Sequence, residues 1–301
     1  MRLTNRFLSS LMMLAGHFVT LASNAQPYEV PEKLDTSIRF NTVATGEHKL
    51  NYAYSGDLSK PGVLFIHGTP GGWGAFEVYL SNRGFQKDFF MVSVDRLGWG
   101  LSSIPSNEID GDFNKQANAI IKVLEQYPDK HWTIVGHSLG ASIAPKVAII
   151  DPKKVKAMLL LAGSLDPNLG SPRWYNRAAS TWLVSAFLPS HLNNSNKEIM
   201  RLRRELKTMV NEISQKQFDT RLAVMQGGTD KLVSPKNTTF VDEQWRENFS
   251  EVTLVELPEE GHFLPWRQTQ FVTQLIKALQ VDGGVERLLS DQSPSSTEND
   301  D

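Results

Sequence analysis

Short apolar runs alternate with amphipathic helical patterns along most of this sequence. Several runs, including 63–66 and 132–135, are apolar throughout, which is typical of strands buried on both faces of a sheet. Strands separated by helices form mostly parallel sheets with helices on both faces. The pattern therefore predicts an α/β fold with eight candidate strands, at 37–43, 49–54, 63–66, 89–94, 132–135, 157–161, 222–225 and 252–255.

Two segments, 113–124 and 271–279, repeat apolar residues at helical spacing and are predicted to pack on the sheet. Residues 165–217 break the alternation, because an aromatic segment is followed there by a charged helix with one apolar face. We interpret 165–217 as a helical cap inserted between two parts of the core, 26–164 and 218–280. Alternatively, the segment continues the crossover connection and packs as core.

The two ends of the chain differ in composition from the middle. Arg2 and Arg6 precede a largely apolar stretch, 7–22, and Ser23-Asn24-Ala25 resembles a signal-peptidase site, so residues 1–25 are predicted to be an export signal. Polar residues interrupt the stretch, so we expect no membrane span after cleavage; an uncleaved anchor is the alternative. Residues 281–301, rich in acid, Gly and Ser, are predicted to be a disordered tail. The protein is expected to be periplasmic or secreted.

The composition excludes several classes of function. The chain has no cysteine, which rules out disulfides and thiol catalysis. Hydrophobic residues make up 40%, charged residues 21%, and the formal net charge is -2, values that do not indicate a nucleic-acid partner. A small-molecule substrate fits this balance, and the composition leaves the oligomeric state open.

The strongest local motif is Gly136-His137-Ser138-Leu139-Gly140, which joins the run 132–135 to a helical pattern. A serine hydroxyl becomes an exposed nucleophile when the chain turns sharply from strand to helix, and flanking glycines remove the Cβ atoms that would clash in such a turn. The motif therefore predicts that Ser138 is a nucleophile. A tight turn with a capping serine is the structural alternative.

Attack on a carbonyl creates an oxyanion that needs two N–H donors. Leu139 supplies one, because it follows the nucleophile. The glycine-rich loop that begins at His67 follows the strand 63–66, and it can bring the backbone N–H of Thr69 towards Ser138. We expect the side chain of His67 to be structural.

A serine hydroxyl also needs a general base, and in strand–turn–helix hydrolases the acid and then the histidine follow the serine along the chain. His262, in a loop after the strand 252–255, answers that requirement. Asp230 follows the strand 222–225 and is the preferred acid, and Asp166, after the strand 157–161, is the alternative.

Together these motifs, with the turn Asp95-Arg96-Leu97-Gly98-Trp99-Gly100, resemble the α/β-hydrolase superfamily over nearly all of residues 35–280. The resemblance implies an eight-stranded, mostly parallel sheet with a cap after the sixth strand. It assigns nucleophile, acid and base to Ser138, Asp230 and His262, and implies neither a metal nor an organic cofactor. Asp95 is similar to a structural residue of that family.

A serine at the turn from strand to helix distinguishes this chain from dehalogenases and epoxide hydrolases of the superfamily, which have an aspartate nucleophile at that position. Hydrolysis of a carboxylic ester or a related acyl bond becomes the leading hypothesis. The His-Gly-x-Pro-Gly loop is also similar to that of proline iminopeptidases, so an aminopeptidase is an alternative, and a ligand-binding protein on a hydrolase scaffold is another. Aromatic residues of the predicted cap are candidate pocket residues: Trp174, Tyr175, Trp182 and Phe187.

Overall fold

The computed structural model describes residues 35–102, 104–109 and 111–292. Its sheet has eight strands, and each predicted strand coincides with one of them. The strands are β1 (Arg39–Thr45), β2 (His48–Gly56), β3 (Gly62–Ile66), β4 (Phe90–Val94), β5 (Trp132–His137), β6 (Val155–Leu161), β7 (Phe218–Gly227) and β8 (Phe249–Leu257).

The strand order is β1-β2-β4-β3-β5-β6-β7-β8. β2 pairs antiparallel with β1 and β4, and every other pairing is parallel. β3, β4 and β5 are buried along their whole length, which explains why they contain so few polar residues. The predicted eight-stranded, mostly parallel α/β sheet is confirmed.

Eleven α-helices connect or flank the strands within the described residues. They are α1 (Glu77–Leu80), α2 (Arg83–Asp88), α3 (Phe113–Leu124), α4 (Leu139–Ile150), α5 (Trp174–Ala179), α6 (Trp182–Ser185), α7 (Ser190–Ile213), α8 (Asn237–Trp245), α9 (Leu264–Arg267), α10 (Thr269–Ala278) and α11 (Gly284–Gln292). None of them is long and apolar enough to cross a membrane.

Two apolar cores lie on opposite faces of the sheet. One joins the sheet to α3, α4, α7 and α8, and the other joins it to the segment 73–89 and to α10 and α11. The side chain of Asp112 accepts a hydrogen bond from the backbone N–H of Lys115 at 3.0 Å and so caps α3, whose buried side chains pack in the first core. Both faces of the sheet are therefore covered.

The segment predicted as a cap, 165–217, contains α5, α6 and α7 and begins shortly after β6 ends. α7 is 24 residues long, and its buried side chains include Leu202, Leu206, Met209 and Ile213, which form its apolar face. α5 packs on α7, and α7 packs on α4. These contacts join the segment to the helix that follows β5.

The prediction that residues 281–301 are disordered is wrong for its first part. Residues 284–292 form α11, in which Val285 is fully buried and Leu288 and Leu289 pack against the second core. Helical spacing of these three side chains outweighs the acidic composition of the segment. The rest of the tail and the signal predicted at 1–25 lie outside the described residues.

Candidate active site

Ser138 occupies the turn between β5 and α4. Its backbone has φ 53° and ψ −120°, a combination that non-glycine residues seldom adopt. The Ser138 N–H donates to the carbonyl of Leu161 at 2.9 Å, and its carbonyl accepts from Ala141 at 3.0 Å. The surrounding backbone therefore holds the half-buried serine in a strained conformation at the N-terminus of a helix.

The glycines on either side of Ser138 are required by close backbone approach. A Cβ atom on Gly136 would lie 2.5 Å from the carbonyl oxygen of Gly140, and one on Gly140 would lie 2.1 Å from that of Ile66. Both distances are far shorter than a carbon–oxygen contact allows. The reason anticipated for the glycines of the motif is thus confirmed.

His262 and Asp230 form a buried pair. The Nδ1 atom of His262 lies 2.8 Å from Oδ2 of Asp230, and their side chains are 8% and 0% exposed. Each residue follows a neighbouring strand, β8 and β7 respectively, so the parallel sheet brings the two loops to the same edge. With Nδ1–H donating to the carboxylate, Nε2 is left to accept a proton.

Asp230 is held as a carboxylate by three sets of partners. Burial raises the pKa of Asp230, but the hydrogen bond and the charge of His262 and the N–H groups of Leu232 and Val233 outweigh it, so the pKa lies below its ordinary value. These N–H groups donate to Oδ1 at 2.8 and 2.9 Å, and Gln226 donates to Oδ2 at 3.1 Å. Both oxygens are therefore fixed in orientation.

Asp166, the alternative acid, is engaged locally. Its Oδ1 accepts from the backbone N–H of Asn168 at 2.7 Å, and its own N–H donates to Asn237 at 2.9 Å. This is the arrangement of a turn aspartate. The imidazole of His262 is paired with Asp230.

The two predicted oxyanion donors, Thr69 and Leu139, lie in different parts of the chain. A Cβ atom on Gly68 would lie 3.0 Å from Cβ of Ser138, so the loop after β3 touches the serine turn. Thr69 and Leu139 both line the cavity above Ser138. In the part of the chain that the structure describes, neither N–H donates to a protein acceptor.

His67 and Asp95 are structural, as expected. His67 is fully buried, donates from Nδ1 to the carbonyl of Gly68 at 2.7 Å and accepts the N–H of Arg96 at Nε2 at 3.1 Å. Burial and the neighbouring Arg96 charge hold the pKa of His67 well below its ordinary value. Asp95 accepts from the N–H of Trp73 at 2.7 Å, and burial raises the pKa of that carboxyl.

A buried ion pair ties α7 to the Thr69 loop, and sequence reasoning missed it. Arg96 contacts Glu198 at 2.6 Å, with side chains 0% and 1% exposed. The same guanidinium donates to the carbonyls of His67 and Gly68 at 2.9 and 2.8 Å. The sequence contains one indication of this ion pair. Glu198 lies four residues before Leu202, so its charged side chain is on the apolar face of the helix, where a buried partner is needed.

His137 packs beneath the base. Its ring centroid lies 4.8 Å from that of His262 and 5.0 Å from that of Trp266, and its Nε2 donates to the carbonyl of His262 at 3.0 Å. Burial lowers the pKa of His137 to about 3, and the adjacent His262 adds to the effect. His137 is thus a neutral hydrogen-bond donor that positions the backbone of His262.

A cavity of about 300 Å³ opens over Ser138 and His262. Its walls come from the Thr69 loop, from residues 169–202 and from the loop after Asp230. Of the four aromatic residues predicted to line the pocket, Tyr175 does so. The prediction is wrong for the other three, which do not line it and are 65%, 81% and 80% exposed: Trp174, Trp182 and Phe187.

Within the described residues, no group of three or more histidine or acidic side chains could hold a metal ion. Ser138, His262, Thr69 and Leu139 line one cavity, and a hydroxyl, an imidazole and backbone N–H groups are the groups that nucleophilic acyl transfer uses.

Comparison with known proteins agrees with the observed fold. The model of the alpha/beta hydrolase fold matches residues 61–183. An epoxide hydrolase from Vigna radiata superposes with a TM-score of 0.64 at 15% identity, over 80% of this chain and 96% of that one. The thioesterase domain from the curacin biosynthetic pathway superposes with a TM-score of 0.60 at 18% identity, over 80% of this chain and 99% of that one. The chain therefore has the α/β-hydrolase fold.

Curated relatives match the chain over shorter stretches. A probable 1-acylglycerol-3-phosphate O-acyltransferase of Oryza sativa subsp. japonica is 26% identical over 148 residues, which are 48% of this chain and 35% of that protein. Epoxide hydrolase 4 of Mus musculus is 25% identical over 127 residues, 42% of this chain and 32% of that protein. The chain thus spans about a third of the length of these relatives.

Proposed function

We propose that this α/β-hydrolase is a serine hydrolase that cleaves a carboxylic ester or a related acyl bond through an acyl-enzyme. The observation that carries the proposal is the buried pair of His262 and Asp230, which shares a cavity with the strained Ser138. A base that is fixed by an acid and shares a cavity with a serine hydroxyl is the constellation of a serine nucleophile.

In the proposed reaction, Nε2 of His262 takes the Ser138 hydroxyl proton while the serine oxygen attacks the substrate carbonyl. The N–H groups of Thr69 and Leu139 bind the resulting oxyanion. When the tetrahedral intermediate collapses, the carbon–oxygen bond to the alcohol breaks and His262 returns the proton to the leaving group. Water, deprotonated by His262, then attacks the acyl-enzyme, which releases the acid and restores Ser138.

Two of the relatives and neighbours described above are called epoxide hydrolases, and the identity of the nucleophile argues against that activity here. A carboxylate nucleophile opens an epoxide to an enzyme ester that water can hydrolyse. A serine oxygen would instead form an ether, which water does not cleave under these conditions. Ser138 therefore favours an acyl substrate, whose serine adduct is an ester.

The lining of the cavity favours an ester over an aminopeptidase substrate. An aminopeptidase must bind the charged amine of its substrate, which requires a carboxylate or several acceptors near the scissile bond. No Asp or Glu lines the cavity among the described residues, and the charged side chain on its wall is the cation Arg173. A protonated amine would be repelled there.

A binding protein with little turnover would not require Ser138 at a positive φ angle. Such strain persists where the surrounding structure maintains it, and it is concentrated at functional sites. The buried Asp230 carboxylate likewise requires compensation that a ligand-binding scaffold could omit by replacing it with a neutral residue.

Fluorophosphonate labelling of the purified protein tests the proposal, because the probe reacts with activated serines. We expect labelling in the wild type, none in Ser138→Ala and very little in His262→Ala. Ser164→Ala is the matched control, since Ser164 lines the same cavity outside the serine turn. A panel of p-nitrophenyl esters and aminoacyl amides then separates esterase from aminopeptidase.

Absence of labelling in a folded wild-type protein would contradict the proposal and favour the binding protein. Equal labelling of Ser138→Ala would place the nucleophile elsewhere. Turnover of aminoacyl amides without turnover of esters would replace the leading substrate class with the alternative.

A further inference from the structure

The short helix α6 and its surroundings expose large apolar side chains. Trp182 and Phe187 are 81% and 80% exposed, Trp174 is 65% exposed and Leu183 is 47% exposed. We call these four residues the aromatic patch. Among the described residues, no other Trp or Phe is more than 40% exposed.

The patch is not explained by the packing of the cap. α6 has no buried residue, and Leu183 and Phe187, four positions apart, both face solvent. Exposing two indoles and a phenyl ring to water is unfavourable, because their apolar surface could be buried instead. Concentrated apolar surface of this kind marks a binding surface.

The aromatic patch adjoins the mouth of the cavity. The ring of Trp174 lies 6.0 Å from that of Tyr175, which lines the cavity. Two further cavity residues, Leu169 and Leu232, are themselves 38% and 39% exposed. Apolar side chains are therefore exposed both at the mouth of the cavity above Ser138 and on the nearby helix α6.

The charge around the patch is positive in a chain that is slightly acidic overall. Residues 167–196 contain Arg173 and Arg177 and no Asp or Glu, whereas the whole chain has a formal net charge of -2. Arg173 donates to the carbonyls of Lys231 and Leu232 and to the hydroxyl of Tyr175, all neutral acceptors. Its charge therefore remains uncompensated beside the patch.

We propose that the aromatic patch docks the protein on an anionic lipid surface, with the rings of Trp182 and Phe187 inserted among the acyl chains and Arg177 near the headgroups. Indole and phenyl rings partition into the boundary between headgroups and acyl chains, and nearby cations add attraction to anionic lipid. The aromatic patch combines apolar rings with nearby cations and has no carboxylate in residues 167–196. This combination fits an anionic lipid surface better than it fits an acidic or a neutral protein.

The charged helix α7 is a less suitable lipid surface. Arg201 contacts Asp112 at 2.8 Å and Glu205 at 2.7 Å, so part of its positive charge is already neutralised. Arg203 and Arg204 are exposed and serve as a comparison. If lipid binding depends on charge alone, replacing this pair will weaken it as much as replacing the aromatic patch.

Vesicle flotation with the full chain tests the docking. We expect binding to phosphatidylglycerol vesicles, weaker binding to phosphatidylcholine vesicles, and a loss of at least about tenfold in Trp182→Ala/Phe187→Ala. Arg177→Gln should lose about fivefold. Leu58→Ala/Leu101→Ala, which removes exposed apolar side chains elsewhere, should bind like the wild type. Residues 7–22 are the same in every variant, so the differences report on the cap.

Three outcomes would overturn the docking: a wild type that binds neither vesicle, full affinity in Trp182→Ala/Phe187→Ala, or an equal loss in Arg203→Gln/Arg204→Gln. Sedimentation velocity tests whether a second copy of the chain, instead of lipid, binds the aromatic patch. If the double aromatic variant converts a wild-type dimer into a monomer and vesicles bind neither form, the patch is an interface between copies.

Docking would also define the substrate class, an inference that rests on the proposed hydrolase activity. A cavity that opens beside the lipid receives an amphiphilic ester from the surface. Turnover of a short soluble ester should then be the same in the wild type and in Trp182→Ala/Phe187→Ala, while turnover of a vesicle-embedded ester should fall in the variant. If the wild type cleaves neither ester, the hydrolase proposal fails, and vesicle binding still decides the docking.

Discussion

Replacing Asp230 with asparagine should abolish most of the activity without unfolding the protein. Oδ1 of Asp230 accepts the N–H groups of Leu232 and Val233 at 2.8 and 2.9 Å. The asparagine oxygen must keep these bonds, so its NH2 group is directed to the place of Oδ2. There it meets Nδ1 of His262 and the donor Nε2 of Gln226.

An NH2 group cannot accept a proton from Nδ1, so His262 must turn to the tautomer with hydrogen on Nε2. That tautomer cannot take the proton of Ser138. The same exchange in a serine–histidine–aspartate triad lowers kcat by about 10⁴-fold, equivalent to about 5.5 kcal/mol of activation free energy. We expect a loss of this size in kcat for a p-nitrophenyl ester.

Asp166→Asn is the matched control, because its carboxylate caps a turn and does not touch the imidazole. It should keep nearly wild-type kcat, and both variants should melt close to the wild type. A loss smaller than about tenfold in Asp230→Asn, below the contribution of general-base catalysis, would refute the reasoning. A large loss in Asp166→Asn would move the role of the acid to that residue.

Further predictions concern groups around the site. Glu198→Ala leaves the buried guanidinium of Arg96 unpaired, so it should lower the unfolding free energy by about 3–5 kcal/mol in denaturant melts. The control Asp242→Ala removes one partner of an exposed ion pair and should cost at most about 1 kcal/mol. Equal effects of the two substitutions would contradict the role of the buried pair. Because the folded pKa of His137 is about 3, below the ordinary 6.5, its contribution to stability is fully present above pH 6.5 and is lost as the pH falls towards 3. In His137→Gln, the unfolding free energy should therefore fall less steeply with decreasing pH than in the wild type, by up to about 1.4 kcal/mol per pH unit. Equal pH dependence of stability in the two proteins would contradict this. Gly140→Ala should destabilise by about 3 kcal/mol or more, since its Cβ would lie 2.1 Å from a carbonyl oxygen, while Gly261→Ala, 3.7 Å from its nearest neighbour, should stay close to the wild type in thermal melts.

Local pattern was sufficient to predict the sheet and the three residues proposed for catalysis. Ser138, Asp230 and His262 each follow an apolar strand, and parallel strands place such residues at one edge. The pairing of His262 with Asp230 required coordinates, because Asp166 stands in an equivalent place after β6. The choice depends on side-chain direction, which the sequence does not specify.

Features that depend on distant parts of the chain escaped prediction. Arg96 and Glu198 are 102 positions apart, and no local pattern pairs them. Trp182 and Phe187 were expected to face the cavity, but their rings are exposed to solvent. The prediction failed because aromatic content alone does not identify which face of a short helix is buried. Helix α11 was not predicted, because the acidic composition of its segment favoured disorder. The four-residue spacing of Val285 and Leu289 is nevertheless typical of a helix with one apolar face.

The order of the strands along the chain determines when the site can exist during synthesis. The hydroxyl of Ser138 is made first, the carboxylate of Asp230 about ninety residues later, and the imidazole of His262 follows β8, the last strand of the sheet. In the proposed mechanism, a nascent chain that stops before this strand has its nucleophile but lacks its base. That mechanism predicts that reactivity appears only after nearly the whole domain has been synthesised and folded, so that ester turnover reports completed folding and partial chains are inactive.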